Sequence, residues 1–188
     1  MRSDKTHFND LKEQMLDSRI VFEGRSFNFK SDLVRLPDGR EARKNYVAYP
    51  QAVGIVPFIN DSDILLERQF RYPAGHVLYE IPAGKLDDPS EDLKSAAARE
   101  LLEETGYRAG RLELFCSYFP APAYSTEKLH IFTGSDLQAG STDFDEDEFI
   151  ETEIVPFERA FEMIAEGKIE DSKTIIALQY LKIHGVKF

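Results

Sequence analysis

The segment from Gly84 to Tyr107, GKLDDPSEDLKSAAARELLEETGY, constrains the fold most, because it ends by placing Arg99, Glu100, Glu103 and Glu104 on one expected helix. A helix turns by about 100° per residue, so Glu100, Glu103 and Glu104, at i, i+3 and i+4, share a face and can converge on a common point. Like charges at this spacing cost roughly 0.2–0.5 kcal/mol per pair in an isolated helix, so the face works against local stability. Asp88 reads as the N-cap, Pro89 as the first helical position, Glu91 as the reciprocal capping position and Gly106 as the stop. Leu93, Ala96 and Ala97 lie on the same side as the carboxylates, so the face starts apolar and continues acidic, which a purely core-facing stripe does not do. A divalent ion with hard oxygen ligands, Mg²⁺ or Mn²⁺, accounts for the arrangement. A solvated acidic face with Arg99 in a surface ion pair is the alternative.

Gly84, Glu91 and the run Arg99-Glu100-Leu101-Leu102-Glu103-Glu104-Thr105-Gly106-Tyr107 resemble the Nudix box, G-x5-E-x7-R-E-U-x-E-E-x-G-U, where U is a bulky aliphatic or aromatic residue. Six residues rather than five separate Gly84 from Glu91. The extra residue falls in a turn, where length changes are tolerated, and the spacing from Glu91 onward is intact.

Composition is compatible with such an enzyme. A chain of 188 residues can bury a substantial core. A net charge of −11, with no basic stretch, argues against nucleic acid or an anionic membrane as the main partner. No apolar run approaches the ~20 residues of a membrane span, and the polar start MRSDKTHFND lacks the apolar centre of a signal peptide, so cytoplasmic residence is expected. Cys116 is the single cysteine and reads as a small strand residue.

Strand-like composition marks Ile20–Phe29, Tyr46–Ile59, Ile64–Phe70, Val77–Ile81, Leu112–Phe119, Leu129–Gly134 and Phe149–Val155, with turns at Pro37-Asp38-Gly39 and Asn60-Asp61. Helical spacing follows at Phe157, Ala160, Phe161 and Ile164, and again over Ser172–Ile183. Met1 to about Arg19 reads as a short helix or an arm. The mixture predicts an α+β fold. The resemblance implies the Nudix fold, a mixed β-sheet between α-helices with an N-terminal antiparallel region. Residues 1–49 are then an arm and strand region serving dimerisation and substrate contact, and 50–188 the hydrolase domain.

The resemblance extends from Ile20 to the C-terminus and is similar in detail to the ADP-ribose pyrophosphatase branch. Arg68-Gln69-Phe70-Arg71-Tyr72-Pro73 and Tyr79-Glu80-Ile81-Pro82-Ala83-Gly84 resemble its approach to the box. In Tyr118 to Glu127, Pro122 stands sixteen residues after Gly106, the offset that marks ADP-ribose enzymes, with Ala123 in place of the usual glycine. The resemblance implies hydrolysis of ADP-ribose to AMP and ribose 5-phosphate by a homodimer. Other ADP-sugars, nucleoside-diphosphate sugars, or a nucleotide-sensing module that does not cut are the alternatives.

By the same resemblance, Glu100 and Glu104 are the principal metal ligands, Glu103 assists, the Ala83 carbonyl completes the set, and Arg99 orients the carboxylates or pairs with Glu91. Asp145-Glu146-Asp147-Glu148 resembles the loop that supplies a general base, Glu146 before Glu148, and also reads as a solvated acidic turn. It has no EF-hand spacing. Substrate cations are expected from Arg68 and, foremost, Arg71, which strand alternation puts on opposite faces. Glu80 and Glu127 sit in segments resembling ribose and metal surroundings and read equally as salt-bridge partners. Phe27, Phe29 and Tyr46 offer adenine a stacking face or serve the core.

Overall fold

A computed structural model of the chain describes residues 11–140 and 149–185. The chain divides into two compact units: one runs to Pro50 and takes in Ala121–Glu127, and the other holds Gln51–Pro120 and the chain from Lys128 onward.

The first unit is an antiparallel meander of β1 (Gln14–Glu23), β2 (Asn28–Arg35) and β3 (Glu41–Ala48). The expected strand Ile20–Phe29 is in fact two strands joined by a turn, closed where the Gly24 N–H donates to the Phe27 carbonyl at 3.0 Å. A Cβ on Gly24 would lie 2.7 Å from that oxygen, so the reversal depends on glycine. Apolar residues on both sides concealed it. The described part of the expected helix or arm before Ile20 is likewise strand, from Gln14. Ala121–Glu127, which sequence order places in 50–188, runs alongside β3: the Val47 N–H donates to the Tyr124 carbonyl at 2.8 Å, and the Thr126 N–H to the Val47 carbonyl at 3.0 Å.

The second unit begins with β4 (Ala52–Pro57), so the expected strand Tyr46–Ile59 is also split, at Tyr49 and Pro50, where proline supplies no ladder donor. Then come β5 (Asp63–Arg71), β6 (His76–Glu80), β7 (Ala83–Lys85), α1 (Leu93–Thr105), β8 (Tyr107–Tyr118), β9 (Leu129–Ala139), β10 (Ile150–Pro156), α2 (Phe157–Ala165) and α3 (Ser172–His184). They form a four-stranded sheet, β7-β4-β9-β8, in which β4 and β9 are parallel, and an antiparallel sheet, β10-β5-β6. Alternation along β4 divides the core. Val53 and Ile55 pack with Ala96, Ala97 and Leu101 of α1, while Ala52 and Val56 join Ile64, Leu66 and Ile81 and the α2 and α3 residues Ala160, Met163, Ala177 and Leu178. The four-stranded sheet thus lies between α1 and the other helices, an α+β arrangement. Among the described residues, no helix is long and apolar enough to cross a membrane.

The start of α1 corrects the capping assignment. Asp92 is the N-cap and accepts from the Ser95 N–H at 3.0 Å. Asp88 serves the preceding turn, accepting from the Ser90 N–H at 2.8 Å, and Glu91 accepts from the Asp87 N–H at 2.8 Å. Gly106, at φ 73°, ends the helix as expected. Replacing Asp92 with Ala should lower stability by about 1 kcal/mol in urea denaturation, the usual worth of a cap. Asp88→Ala should leave the midpoint where it was.

Candidate active site

The site rests on the contact between α1 and β7. Register with β4 fixes β7, Gly54 opposite Ala83 and Val53 opposite Gly84, while Ala96, Ala97 and Leu101 bury one side of α1 against the same sheet. This packing buries Glu100 and Glu104 as well. Buried carboxylates must be compensated, and here the compensation is local. The Ala83 N–H donates to Glu104 Oε2 at 2.8 Å. Glu100 lies against Gly84 so closely that a Cβ there would be 2.0–2.2 Å from its carboxylate atoms. Only glycine leaves that space.

Arg99 gathers the remaining acids. Its Nη1 donates to Glu100 Oε1 at 2.8 Å and to Glu103 Oε2 at 3.1 Å; Nε and Nη2 donate to Glu91 at 3.3 and 3.4 Å, and Nη2 also to the Lys85 carbonyl at 3.2 Å. Burial works against the guanidinium charge, but Glu100, Glu91 and Glu103 more than offset it and raise its pKa. Arg99 is therefore a fixed cation amid four acids, Asp87 at 3.4 Å being the last. Among the described residues, no three His, Cys, Asp or Glu side chains stand in a metal-holding cluster. The oxygens named above are engaged by Arg99 and Ala83 instead. The residues still fit a hard divalent cation: carboxylates of one helix face, adjoining a backbone strand, in a space that a glycine keeps open.

A second polar cluster adjoins this one. Arg71 and Glu80 form a two-pronged pair, Nε to Oε1 at 2.8 Å and Nη2 to Oε2 at 2.9 Å. Glu80 is buried, which pushes its pKa up, but the Arg71 hydrogen bonds and the Lys173 charge outweigh burial and hold it below the usual range. Lys173 of α3 reaches the same Oε2 and also Asp171 at 3.2 Å. The Arg71 pKa is raised by Glu80 and, at longer range, by Glu104, which puts this guanidinium within electrostatic reach of the α1 acids. Arg68 goes elsewhere: it pairs with Glu151 at 3.0 Å and lies 5.6 Å from the Tyr79 ring centroid.

Pro122 and Glu127 belong to the first unit, where Pro122 helps line a cleft of about 600 Å³ together with Arg43, Lys44, Tyr46, Tyr124 and Ser125. Tyr46 is pinned there, its hydroxyl donating to Asp32 at 2.8 Å. A smaller cleft, about 340 Å³, is lined by Phe27 and Tyr49, whose rings stack at 6.3 Å. Phe29 is exposed on β2. Glu146 and Glu148 lie outside the described residues. Sequence reasoning missed Lys173, Arg43, Tyr49 and Tyr124. Nothing in the pattern of α3, which also carries Gln179, Lys182 and His184, distinguishes Lys173.

Comparison with known proteins accords with this geometry. The NUDIX domain family matches residues 48–178. The ADP-ribose pyrophosphatase of Bacillus subtilis (strain 168) is 33% identical over 175 residues, covering 92% of this chain and 94% of that protein. The methanol dehydrogenase activator of Bacillus methanolicus is 34% identical with the same coverage, and the GDP-mannose pyrophosphatase of Cronobacter sakazakii is 32% identical over 85% of this chain and 88% of its own. The crystal structure of an ADP compounds hydrolase superposes with a TM-score of 0.80 at 26% identity, covering 93% of this chain and 96% of that one. With its box residues assembled on α1 and β7 and these likenesses spanning nearly its whole length, the chain belongs to the Nudix family and is a Nudix hydrolase.

Proposed function

We propose that this hydrolase cleaves the diphosphate of ADP-ribose, giving AMP and ribose 5-phosphate, with Mg²⁺ as its working ion. Other ADP-sugars and nucleoside-diphosphate sugars are the nearest alternative substrates. The observation that carries the reading is Pro122, sixteen residues beyond Gly106, in a chain similar over nearly its full length to an ADP-ribose pyrophosphatase.

Hydrolysis of a phosphoanhydride needs an attacking water, neutralisation of charge on the phosphoryl oxygens, and alignment of the two. Glu100 and Glu104, assisted by Glu103 and the Ala83 carbonyl, would hold the divalent ion. When bound, such an ion stabilises phosphoryl charge and lowers the pKa of water. Arg99 keeps the carboxylates apart and oriented, since its guanidinium bonds to Glu91, Glu100 and Glu103 at once. Arg71 is the diphosphate cation: it is half exposed, held on one side by Glu80, and near Glu104. Arg68, committed to Glu151 and Tyr79, is assigned the lesser part. Glu146, with Glu148 second, takes the proton as water adds to phosphorus and the P–O bond of the anhydride breaks. Phe27, Phe29 and Tyr46 are the residues proposed to offer the adenine a stacking face, and Pro122 and Glu127 those proposed for the ribose.

The enzyme is proposed to act as a cytoplasmic homodimer. Met15, Ile20, Val21 and Phe22 of β1 are all exposed, and β1 is the edge of its sheet. An apolar edge strand of this kind invites a second copy.

Incubating nucleotide sugars with Mg²⁺ and a coupled phosphatase should release phosphate fastest from ADP-ribose. No turnover of any sugar would overturn the enzyme reading, and a preference for GDP-mannose the substrate reading. Glu104→Gln should reduce kcat by at least the roughly 10–100-fold that losing a ligand's own hydrogen-bond partner costs. Gly84→Ala should weaken Mn²⁺ binding, read by electron paramagnetic resonance, since its Cβ displaces the Glu100 carboxylate. Glu146→Gln should flatten the rise of kcat with pH. If Glu148→Gln does so instead, the base is Glu148.

A further inference from the structure

We propose that Lys173 is a positioning residue for diphosphate recognition, acting through Glu80 on Arg71. The inference rests on the assignment of Arg71 to the diphosphate. Glu80 projects from the end of β6 and is almost wholly buried, with 3% of its side chain exposed. Its single negative charge is divided between two cations. Arg71 takes both oxygens with Nε and Nη2, and Lys173 takes Oε2 as well, across 93 residues of sequence.

The two cations differ in access. The Arg71 side chain is 42% exposed and the Lys173 side chain 12%, so one can meet a ligand and the other is enclosed. Lys173 is itself braced by Asp171, the N-cap of α3, whose carboxylate also accepts from the Thr174 N–H at 2.9 Å and hydroxyl at 2.7 Å. Thr174 Oγ1 in turn accepts from the Ile81 N–H at 2.9 Å, tying the start of α3 to the residue that follows Glu80. The lysine therefore stands on a rigid support, and so does the carboxylate it grips.

Two consequences follow for Arg71. Its fork is fixed by a carboxylate that cannot swing, which leaves Nη1 as the nitrogen not bonded to Glu80. Its charge also belongs to a balanced cluster. Arg71 and Lys173 offset Glu80 and Asp171, so removing the lysine charge leaves the cluster with one excess negative charge, within electrostatic reach of Glu104, and turns it against a phosphate. Lysine here needs no reach into the site to affect what binds there.

The test is a double-mutant cycle on the full chain with ADP-ribose and Mg²⁺. Lys173→Gln should lower kcat/KM by about tenfold, mainly through KM, and Lys173→Arg should restore it to within about twofold. In an Arg71→Ala background, Lys173→Gln should change kcat/KM by less than about twofold, because its route to the substrate is gone. Leu178→Val, which loosens the core packing of α3 without touching the polar cluster, should lower Tm and leave KM as it was. Should Lys173→Gln cost as much with Arg71 absent as with it present, or should Leu178→Val raise KM equally, Lys173 would be a structural anchor only and the proposal overturned. If Arg71→Ala alone leaves KM unchanged, the assignment of Arg71 fails first and the proposal with it. If Lys173→Gln does not fold, Lys173→Met, which keeps the aliphatic length and removes the charge, decides in its place: a rise in KM of about tenfold in the folded protein, absent in the Arg71→Ala background, supports positioning, and an equal rise in both overturns it.

Discussion

The structure of the site depends on burying two carboxylates of α1 against a three-residue strand. Removing a charged group from water is costly unless hydrogen bonds and opposite charge replace the hydration, so each buried oxygen dictates its neighbours. Glu104 takes the Ala83 N–H, which requires β7 to stand one strand away from β4 in a particular register. Glu100 takes the Arg99 guanidinium and the space where Gly84 has no side chain. Residues as far apart in sequence as Gly54, Gly84 and Glu104 are thereby bound into one geometric problem. The apolar half of α1 holds the answer in place, since Ala96, Ala97 and Leu101 are fully buried on the same sheet.

Arg99 shows why such a helix bears arginine at that position. Its planar fork reaches Glu91, Glu100, Glu103 and the Lys85 carbonyl together, which a lysine ammonium could not do with one nitrogen. A carboxylate offers about four lone-pair sites, so bonding to one oxygen does not exhaust its capacity as a ligand. The guanidinium can then separate like charges on one face without consuming the donor set needed for a divalent ion. The mutual repulsion of Glu100, Glu103 and Glu104, unfavourable in an isolated helix, is thereby partly offset by a cation of the same helix.

What was legible in the sequence followed the range of the interaction. The shared face of Glu100, Glu103 and Glu104 is a matter of helical pitch, and a short apolar run behind a turn, such as Ile64-Leu65-Leu66 in β5 after Asn60-Asp61, announces a strand over a few residues. The helix start was misplaced, because Asp88, Pro89 and Glu91 carry the pattern of a cap and first turn while their hydrogen bonds close a separate turn before the true cap, Asp92. Strands joined by tight turns, β1 to β2 and β3 to β4, merged into single apolar stretches, since the break at Gly24 depends on a close backbone approach and that at Pro50 on one missing donor. Least legible were ion pairs across long separations. Nothing near Lys173 in sequence points to Glu80, and nothing near Arg68 points to Glu151.

The charge of the chain sharpens the same point. A protein of net charge −11 that handles a polyanion cannot rely on its overall field, which opposes approach. At physiological ionic strength, however, charges beyond about 8 Å are largely screened, so the distant acids matter little and the contact cations a great deal. Recognition must then come from cations whose positions are fixed before the ligand arrives, because a mobile lysine would pay its ordering entropy at each encounter. Arg71, held by a buried carboxylate that is itself held by Lys173 and α3, meets that requirement. An acidic surface and a preorganised basic point are therefore compatible, because screening confines the first to long range and rigid support fixes the second at contact.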